Sequence, residues 1–163
     1  MTHKGRGSWL ENVIEVCNKQ YRLTKKARID KIPTPSRINS RKGTGYFTGK
    51  STVDFTGFTK KGSVAFDTKQ TKLKNFPFSN VHRHQLEYLY EVQNDYGVEA
   101  FLLIWFSTYE ELYKVNIDDY KRAESYFERK HKKKSIPYSW FTQKATKVKV
   151  GKSVYFDYLE LED

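Results

Sequence analysis

The sequence has little cysteine and no long apolar run. Cys17 is the single cysteine among 163 residues, which excludes an internal disulfide and a zinc site built on cysteines and fits a reducing compartment. The longest near-continuous apolar run, residues 98–106, is far shorter than the roughly 20 residues that a membrane-spanning helix needs. We therefore expect a cytoplasmic protein with no membrane segment and no export signal.

Acidic residues are also scarce relative to basic ones. The chain has 19 Asp and Glu against 30 Lys and Arg, a net charge of +11. Such an excess attracts polyanions, so nucleic acid is the first partner to consider, and a basic surface that only maintains solubility is the alternative. Hydrophobic residues at 37% argue for a folded protein. The length predicts one domain over residues 1–163.

Helical and strand patterns alternate along the chain. They predict helices over residues 9–22, 79–96 and 117–129, strands over residues 52–56, 63–69, 98–106 and 112–116, and a closing hairpin from residues 147–150 and 153–156. Segment 25–51 contains Pro33 and Pro35 and is predicted to be an exposed arm or loop. This order of elements predicts an α/β fold, with a mixed central sheet flanked by helices.

Two carboxylates and a lysine fall on the polar face of the hairpin predicted over residues 52–69. Alternation places Asp54 opposite the apolar side chains of its strand, and places Asp67 and Lys69 together on the partner strand. Carboxylates can hold a divalent cation, while an ammonium can stabilise charge on a phosphate. The pattern indicates phosphodiester hydrolysis with Mg²⁺ held by Asp54 and Asp67. A solvated strand face with a cross-strand ion pair is the alternative.

Gln85 is the polar residue within the apolar stripe of the second predicted helix. It lies four residues after Val81 and four before Leu89, and therefore faces inward with them. A buried amide needs a partner, and two are open: a metal pocket shared with the carboxylates, or a buried backbone group.

Several short blocks resemble one nuclease family. Asp54 and the sequence Asp67-Thr68-Lys69 are similar to the PD-(D/E)XK nuclease signature, and further blocks resemble the RecU-type Holliday junction resolvases. These blocks are GRGSWLENVIEVCNKQY at 5–21, KIPTP at 31–35, STVDFTG at 51–57, FDTKQTK at 66–72, FPFSNVHRHQ at 76–85 and KKSIP at 133–137. The resemblance implies a restriction-endonuclease-like nuclease core with a short projecting basic arm over about residues 35–51. It also implies a homodimer that nicks opposed strands of a four-way DNA junction with Mg²⁺ or Mn²⁺.

The resemblance assigns a role to each matching position. It implies metal binding by Thr52, Asp54, Asp67 and Gln85, stabilisation of the transition state by Lys69, and an auxiliary catalytic acid at Glu11. Basic side chains in the matched blocks and the arm are the candidate DNA contacts: Arg6, Arg37, Arg41, Lys42, Lys50 and Lys72.

Two departures from the family pattern leave alternatives open. Asp67 stands where these nucleases commonly have Glu, and its shorter side chain bears on the choice of metal. The segment 35–51 is short for a stalk that enters a junction. One alternative is a nuclease for flaps, forks or duplex DNA. Another is a catalytically inactive, basic DNA-binding accessory protein of recombination.

Overall fold

The computed structural model describes residues 6–33, 36–39, 44–47 and 52–162. Within them the helices are α1 (Arg6–Leu23), α2 (Arg83–Tyr96), α3 (Ile117–His131) and α4 (Tyr138–Lys144), with a 3₁₀ helix at Phe78–Asn80. The strands of the same residues are β1 (Ala27–Lys31), β2 (Ser36–Asn39), β3 (Thr44–Phe47), β4 (Phe55–Thr59), β5 (Gly62–Thr71), β6 (Asn75–Pro77), β7 (Glu99–Phe106), β8 (Glu111–Asn116), β9 (Ser135–Pro137) and β10 (Thr146–Lys147).

The central sheet is mixed, as the sequence predicts. Among the described residues it has six strands in the order β1-β4-β5-β7-β8-β10. Strands β5 and β7 pair in parallel, and every other neighbouring pair in this sheet is antiparallel. Two small antiparallel pairs, β2 with β3 and β6 with β9, accompany it. The parallel pair requires a crossover, which α2 supplies between β5 and β7.

Helices cover both faces of the central sheet because its inner strands are apolar on both sides. On β7, Phe101 and Leu103 pack with α1 and the C-terminal segment. Leu102 and Ile104 pack on the other face, with the core under α2, α3 and α4. This two-sided burial is typical of a central parallel strand. None of the helices in the described part of the chain is long and apolar enough to cross a bilayer.

The arm predicted over residues 25–51 contains a strand of the central sheet. Strand β1 pairs antiparallel with β4, and its Ala27 and Ile29 are buried while Arg28 and Asp30 are exposed. The prediction of a loop was wrong here, because an alternation of only five residues was outweighed by the neighbouring prolines. Strands β2 and β3 follow, and residues 34–35, 40–43 and 48–51 lie outside the described residues.

Two predicted boundaries and one predicted hairpin also differ from the structure. Strand β4 begins at Phe55, so Asp54 precedes the strand instead of alternating within it. Helix α2 is capped by His82, because residues 78–80 form the 3₁₀ helix, whereas its end at the left-handed Gly97 is as predicted. The hairpin predicted near the C-terminus does not form: beyond β10 the chain packs irregularly against α1, where Tyr21 donates to Asp157 at 2.7 Å.

Candidate active site

The two acidic residues meet where β4 begins beside β5. Asp67 lies on β5, and its side chain is fully buried. Asp54 lies one residue before β4, and its backbone N–H donates to Asp67 Oδ1 at 3.0 Å. This bond from the residue before β4 fixes one carboxylate oxygen of Asp67. The predicted proximity of the two acids is confirmed, although a bend and not strand alternation produces it.

Thr68 holds the Asp54 carboxylate in place. Asp54 Oδ2 accepts two hydrogen bonds from this one residue, from the backbone N–H at 2.9 Å and from the hydroxyl at 2.8 Å. Hydrogen bonds to a charged group are stronger than neutral ones and fix its orientation. Sequence reasoning missed Thr68, since the register of β5 against residue 54 is needed to find this contact.

Lys69 lies between Asp67 and Gln85. Its ammonium nitrogen Nζ is 2.8 Å from Asp67 Oδ2 and donates to Gln85 Oε1 at 2.9 Å. Gln85 Oε1 also accepts from the backbone N–H of His82 at 3.3 Å, as part of the capping box that starts α2. The amide therefore faces the carboxylates and satisfies a backbone donor as well. Of its two alternative partners, the backbone group is observed, and the metal pocket stays a prediction.

Burial and mutual repulsion perturb the acids of this site. Burial, with a further contribution from the charge of Asp54, raises the pKa of Asp67 to about 7. Burial and the charge of Asp54 also raise the pKa of Glu11 on α1. Glu11 forms an ion pair with Lys31 at 3.2 Å. Carboxyl groups whose pKa values are raised by burial and by a neighbouring charge are typical of functional sites.

The side chains at this site fit a hard divalent cation. Asp67 Oδ2 and Gln85 Oε1 both contact one cationic group, the Lys69 ammonium. Carboxylate and amide oxygens are the ligands that Mg²⁺ and Mn²⁺ prefer. In the described part of the chain, no group of three or more His, Cys, Asp or Glu residues could hold a metal. A cation here would rely on Asp54, Asp67 and oxygens of other kinds.

The remaining predicted residues lie around this centre or outside the described chain. Thr52 is exposed two residues before Asp54, and Lys72 is exposed just after β5. Arg6 is the first residue of α1 and Arg37 lies on β2. Arg41, Lys42 and Lys50 lie outside the described residues. Lys31, the partner of Glu11, was also missed, because β1 itself was not predicted.

Comparison with known proteins identifies the family. The sequence profile of the family described as Recombination protein U, RecU, matches residues 5–163. The chain belongs to the RecU family. The Holliday junction resolvase RecU of Shouchella clausii is 31% identical over 172 aligned residues, which cover 99% of this chain and 81% of that protein. The RecU protein of Oceanobacillus iheyensis is 32% identical, with 97% of this chain and 85% of that protein covered.

One solved structure is also similar to this chain. Hjc of Archaeoglobus fulgidus, a Holliday junction resolvase, aligns with 85% of this chain and 91% of its own at a TM-score of 0.49 and 12% identity. The RecU family profile spans Glu11, both acids, Lys69 and Gln85. Direct contacts bring together Asp54, Asp67, Lys69 and Gln85. Glu11 is near enough to Asp54 for the charge of Asp54 to raise the Glu11 pKa.

Proposed function

We propose that this protein is a metal-dependent DNA endonuclease that resolves four-way junctions by nicking opposed strands. The observation that carries the proposal is the contact of Asp67 and Gln85 with one ammonium group, beside Asp54, in a chain of the RecU family. The relatives of this chain are named Holliday junction resolvases. A net charge of +11 suits a DNA substrate.

The residues of the site divide the work by their contacts. Asp54 and Asp67 would hold Mg²⁺ or Mn²⁺, with Gln85 and Thr52 completing the ligands. When bound, such a cation activates water and neutralises charge on the phosphate. Thr68 orients the Asp54 carboxylate through two hydrogen bonds. Lys69 carries its positive charge beside the Asp67 carboxylate. It is suited to stabilise negative charge that develops on the scissile phosphate.

Glu11 and the basic residues complete the proposal. Glu11 would be an auxiliary acid, and the cationic residues would contact the DNA backbone: Arg6, Arg37, Arg41, Lys42, Lys50 and Lys72. The chain would act as one nuclease domain in the cytoplasm, with the arm of residues 35–51 directed at the branch point. Two nicks placed symmetrically on a four-way junction require two sites, which a homodimer provides.

The test is cleavage of a synthetic four-way junction whose strands are labelled at their ends. In Mg²⁺ we expect paired, symmetric nicks, and in EDTA none. Asp67→Asn should retain junction binding and lose cleavage, because the buried anionic oxygen is gone. Asp95→Asn, a change at an exposed acid of α2, is the matched control and should cleave as the parent does.

Each contrary result would indicate a different function or role. Equal cutting of flaps, forks and linear duplex would replace junction resolution with a broader nuclease activity. An intact junction and an intact supercoiled plasmid at every metal concentration would leave a DNA-binding protein without nuclease activity. Full cleavage by Asp67→Asn in Mg²⁺ would refute the role given to Asp67.

A further inference from the structure

A cavity between α3 and α4 lies outside the candidate active site. It has a volume of about 570 Å³ and is open to solvent along one side. Its lining comes from one face of α3 and from α4 and the residue before it: Asp119, Arg122, Ala123, Tyr126, Phe127, His131, Pro137, Ser139, Trp140, Gln143 and Lys144. We refer to it as the α3–α4 groove. A cavity of this size accommodates a small ligand or a short stretch of polymer.

Aromatic rings with fixed orientations line the α3–α4 groove. The Trp140 ring packs edge to face on the buried Phe141, with ring centroids 5.1 Å apart. Tyr126 is 46% exposed, and its ring packs edge to face on Phe127 at 5.1 Å. The Tyr126 hydroxyl also contacts His131 Nε2 at 3.2 Å. Rings held in this way provide flat, rigid surfaces at little cost in side-chain entropy.

The charge at the rim of the α3–α4 groove is positive. Arg122 and Lys144 line it, and Lys130 lies over the Tyr126 ring at 5.5 Å from the centroid. The acid in the lining, Asp119, is already paired with Arg122 at 3.1 Å. The basic run of residues 132–134 continues from the end of α3. A ligand complementary to this groove therefore combines negative charge with flat apolar surfaces.

The α3–α4 groove is connected to the candidate active site through the β6–β9 pair. Strand β6 follows β5, which carries Asp67, and β9 leads directly into α4. The backbone N–H of Phe78 donates to the Lys134 carbonyl oxygen at 3.0 Å. The backbone N–H of Tyr138 donates to the Lys74 carbonyl oxygen at 3.1 Å. Helices α2, α3 and α4 pack over the same face of the central sheet. The groove and the candidate active site are therefore linked by backbone hydrogen bonds between the segments that follow β5 and precede α4.

We propose that the α3–α4 groove binds unpaired nucleotides of the DNA, with bases stacked on Tyr126 and Trp140 and phosphates contacted by Arg122 and Lys144. Unpaired nucleotides fit better than duplex, because base faces must be free to enter a concave aromatic surface. Bases of any identity can stack in this way, so the groove would read strand separation and not sequence. The proposal rests on the proposed DNA substrate and adds a second binding site to it.

The first test measures the affinity for a labelled oligothymidylate of about 12 nucleotides, a length within the usual range for one such site. Fluorescence anisotropy in EDTA excludes cleavage. Tyr126→Ala should weaken binding by about 5- to 150-fold, since a stacking surface for one base is lost. Tyr126→Phe keeps the ring and should bind as the parent does. Tyr96→Ala, at a 73% exposed tyrosine that does not line the groove, is the surface control.

The second test uses the salt dependence of the same binding. Replacing Arg122 and Lys144 together by Ala should reduce the slope of log K against log salt by about 0.7 for each phosphate that the protein no longer neutralises. Lys19→Ala, on the exposed side of α1, should leave the slope unchanged. Circular dichroism of each variant should match the parent, because the truncated side chains are largely exposed.

Three results would overturn the proposal. In the first, the parent does not bind the oligothymidylate. In the second, Tyr126→Ala binds it as well as the parent does. In the third, Tyr126→Ala keeps its affinity for the oligothymidylate and loses affinity only for an oligoglutamate peptide. The last result would make the groove a docking site for an acidic protein. Junction cleavage in Mg²⁺ is scored separately. Its absence alongside Tyr126-dependent binding would reject the proposed nuclease and leave the groove assignment intact.

Discussion

Neutralising Asp67 should change how the stability of the metal-free protein depends on pH. Burial and the charge of Asp54 raise the pKa of this carboxyl from 3.8 to about 7. Between these values the folded protein keeps a proton that the unfolded chain has released. The free energy of unfolding therefore falls as the pH rises through this window. At pH 8, above both values, the cost of ionising Asp67 in the fold is at its full size.

The expected magnitude follows from the two pKa values. Each pKa unit corresponds to about 1.4 kcal/mol, so the raised pKa of Asp67 represents up to about 4 kcal/mol between pH 4 and pH 8. Asp67→Asn removes this titration. The pKa of about 7 already includes the attraction of Lys69 for the ionised carboxylate, so the loss of this ion pair adds no separate pH dependence. The stability difference between variant and parent should therefore grow in favour of the variant as the pH rises.

The assay is urea unfolding at a series of pH values in EDTA, followed by circular dichroism. Asp95→Asn, which removes an exposed carboxylate of α2, is the matched control. Adding Mg²⁺ at pH 8 should stabilise the parent more than Asp67→Asn, since a ligand that binds the folded state raises its stability. A difference between Asp67→Asn and parent that stays flat from pH 4 to pH 8 would refute the electrostatic reasoning for this site.

Other contacts give further predictions. Thr68→Val should lower the rate of cleavage at limiting Mg²⁺ by about 10-fold or more, because Asp54 loses a hydrogen bond to its charged oxygen. Thr68→Ser keeps the hydroxyl and should retain cleavage. Equal metal titrations for the two variants would contradict this role of Thr68. Tyr21→Phe should cost about 1–3 kcal/mol in urea unfolding, since Asp157 and the Leu159 N–H lose their shared partner; an unchanged midpoint would contradict that role. Gly57→Ala should lower the free energy of unfolding by about 1–3 kcal/mol or more, because the added Cβ would lie 2.2 Å from the Arg28 carbonyl oxygen. An unchanged melting temperature would argue against this packing.

Strong periodic patterns predicted the core elements, and weak or irregular ones did not. Strand β7 is buried on both faces, so it reads as a continuous apolar run and was predicted almost to its ends. Strand β1 has five residues and lies beside prolines, and its pairing with β4 decides its conformation. Residues 148–162 resemble strands in composition. Their packing against Tyr21 and α1 takes the place of strand pairing.

The candidate site shows the same division. The residue types Asp54, Asp67 and Lys69 and their spacing were evident in the sequence, as was the inward-facing Gln85. The contact of Lys69 with Gln85 joins residues 16 positions apart in the chain. The hydrogen bond from Thr68 to Asp54 joins residues 14 positions apart. Such contacts depend on the placement of α2 over β5 and on the bend before β4, which no local pattern encodes.

By itself the sequence determined the α/β class, the basic charge and the ionisable groups available for chemistry, because these follow from composition and from periodicity along one chain. The tertiary structure decided which of these groups touch, how strongly Asp67 is perturbed, and where aromatic and basic side chains form the α3–α4 groove. Distances, burial and local electric fields arise between elements, so they exist only after the sheet and its helices have packed together.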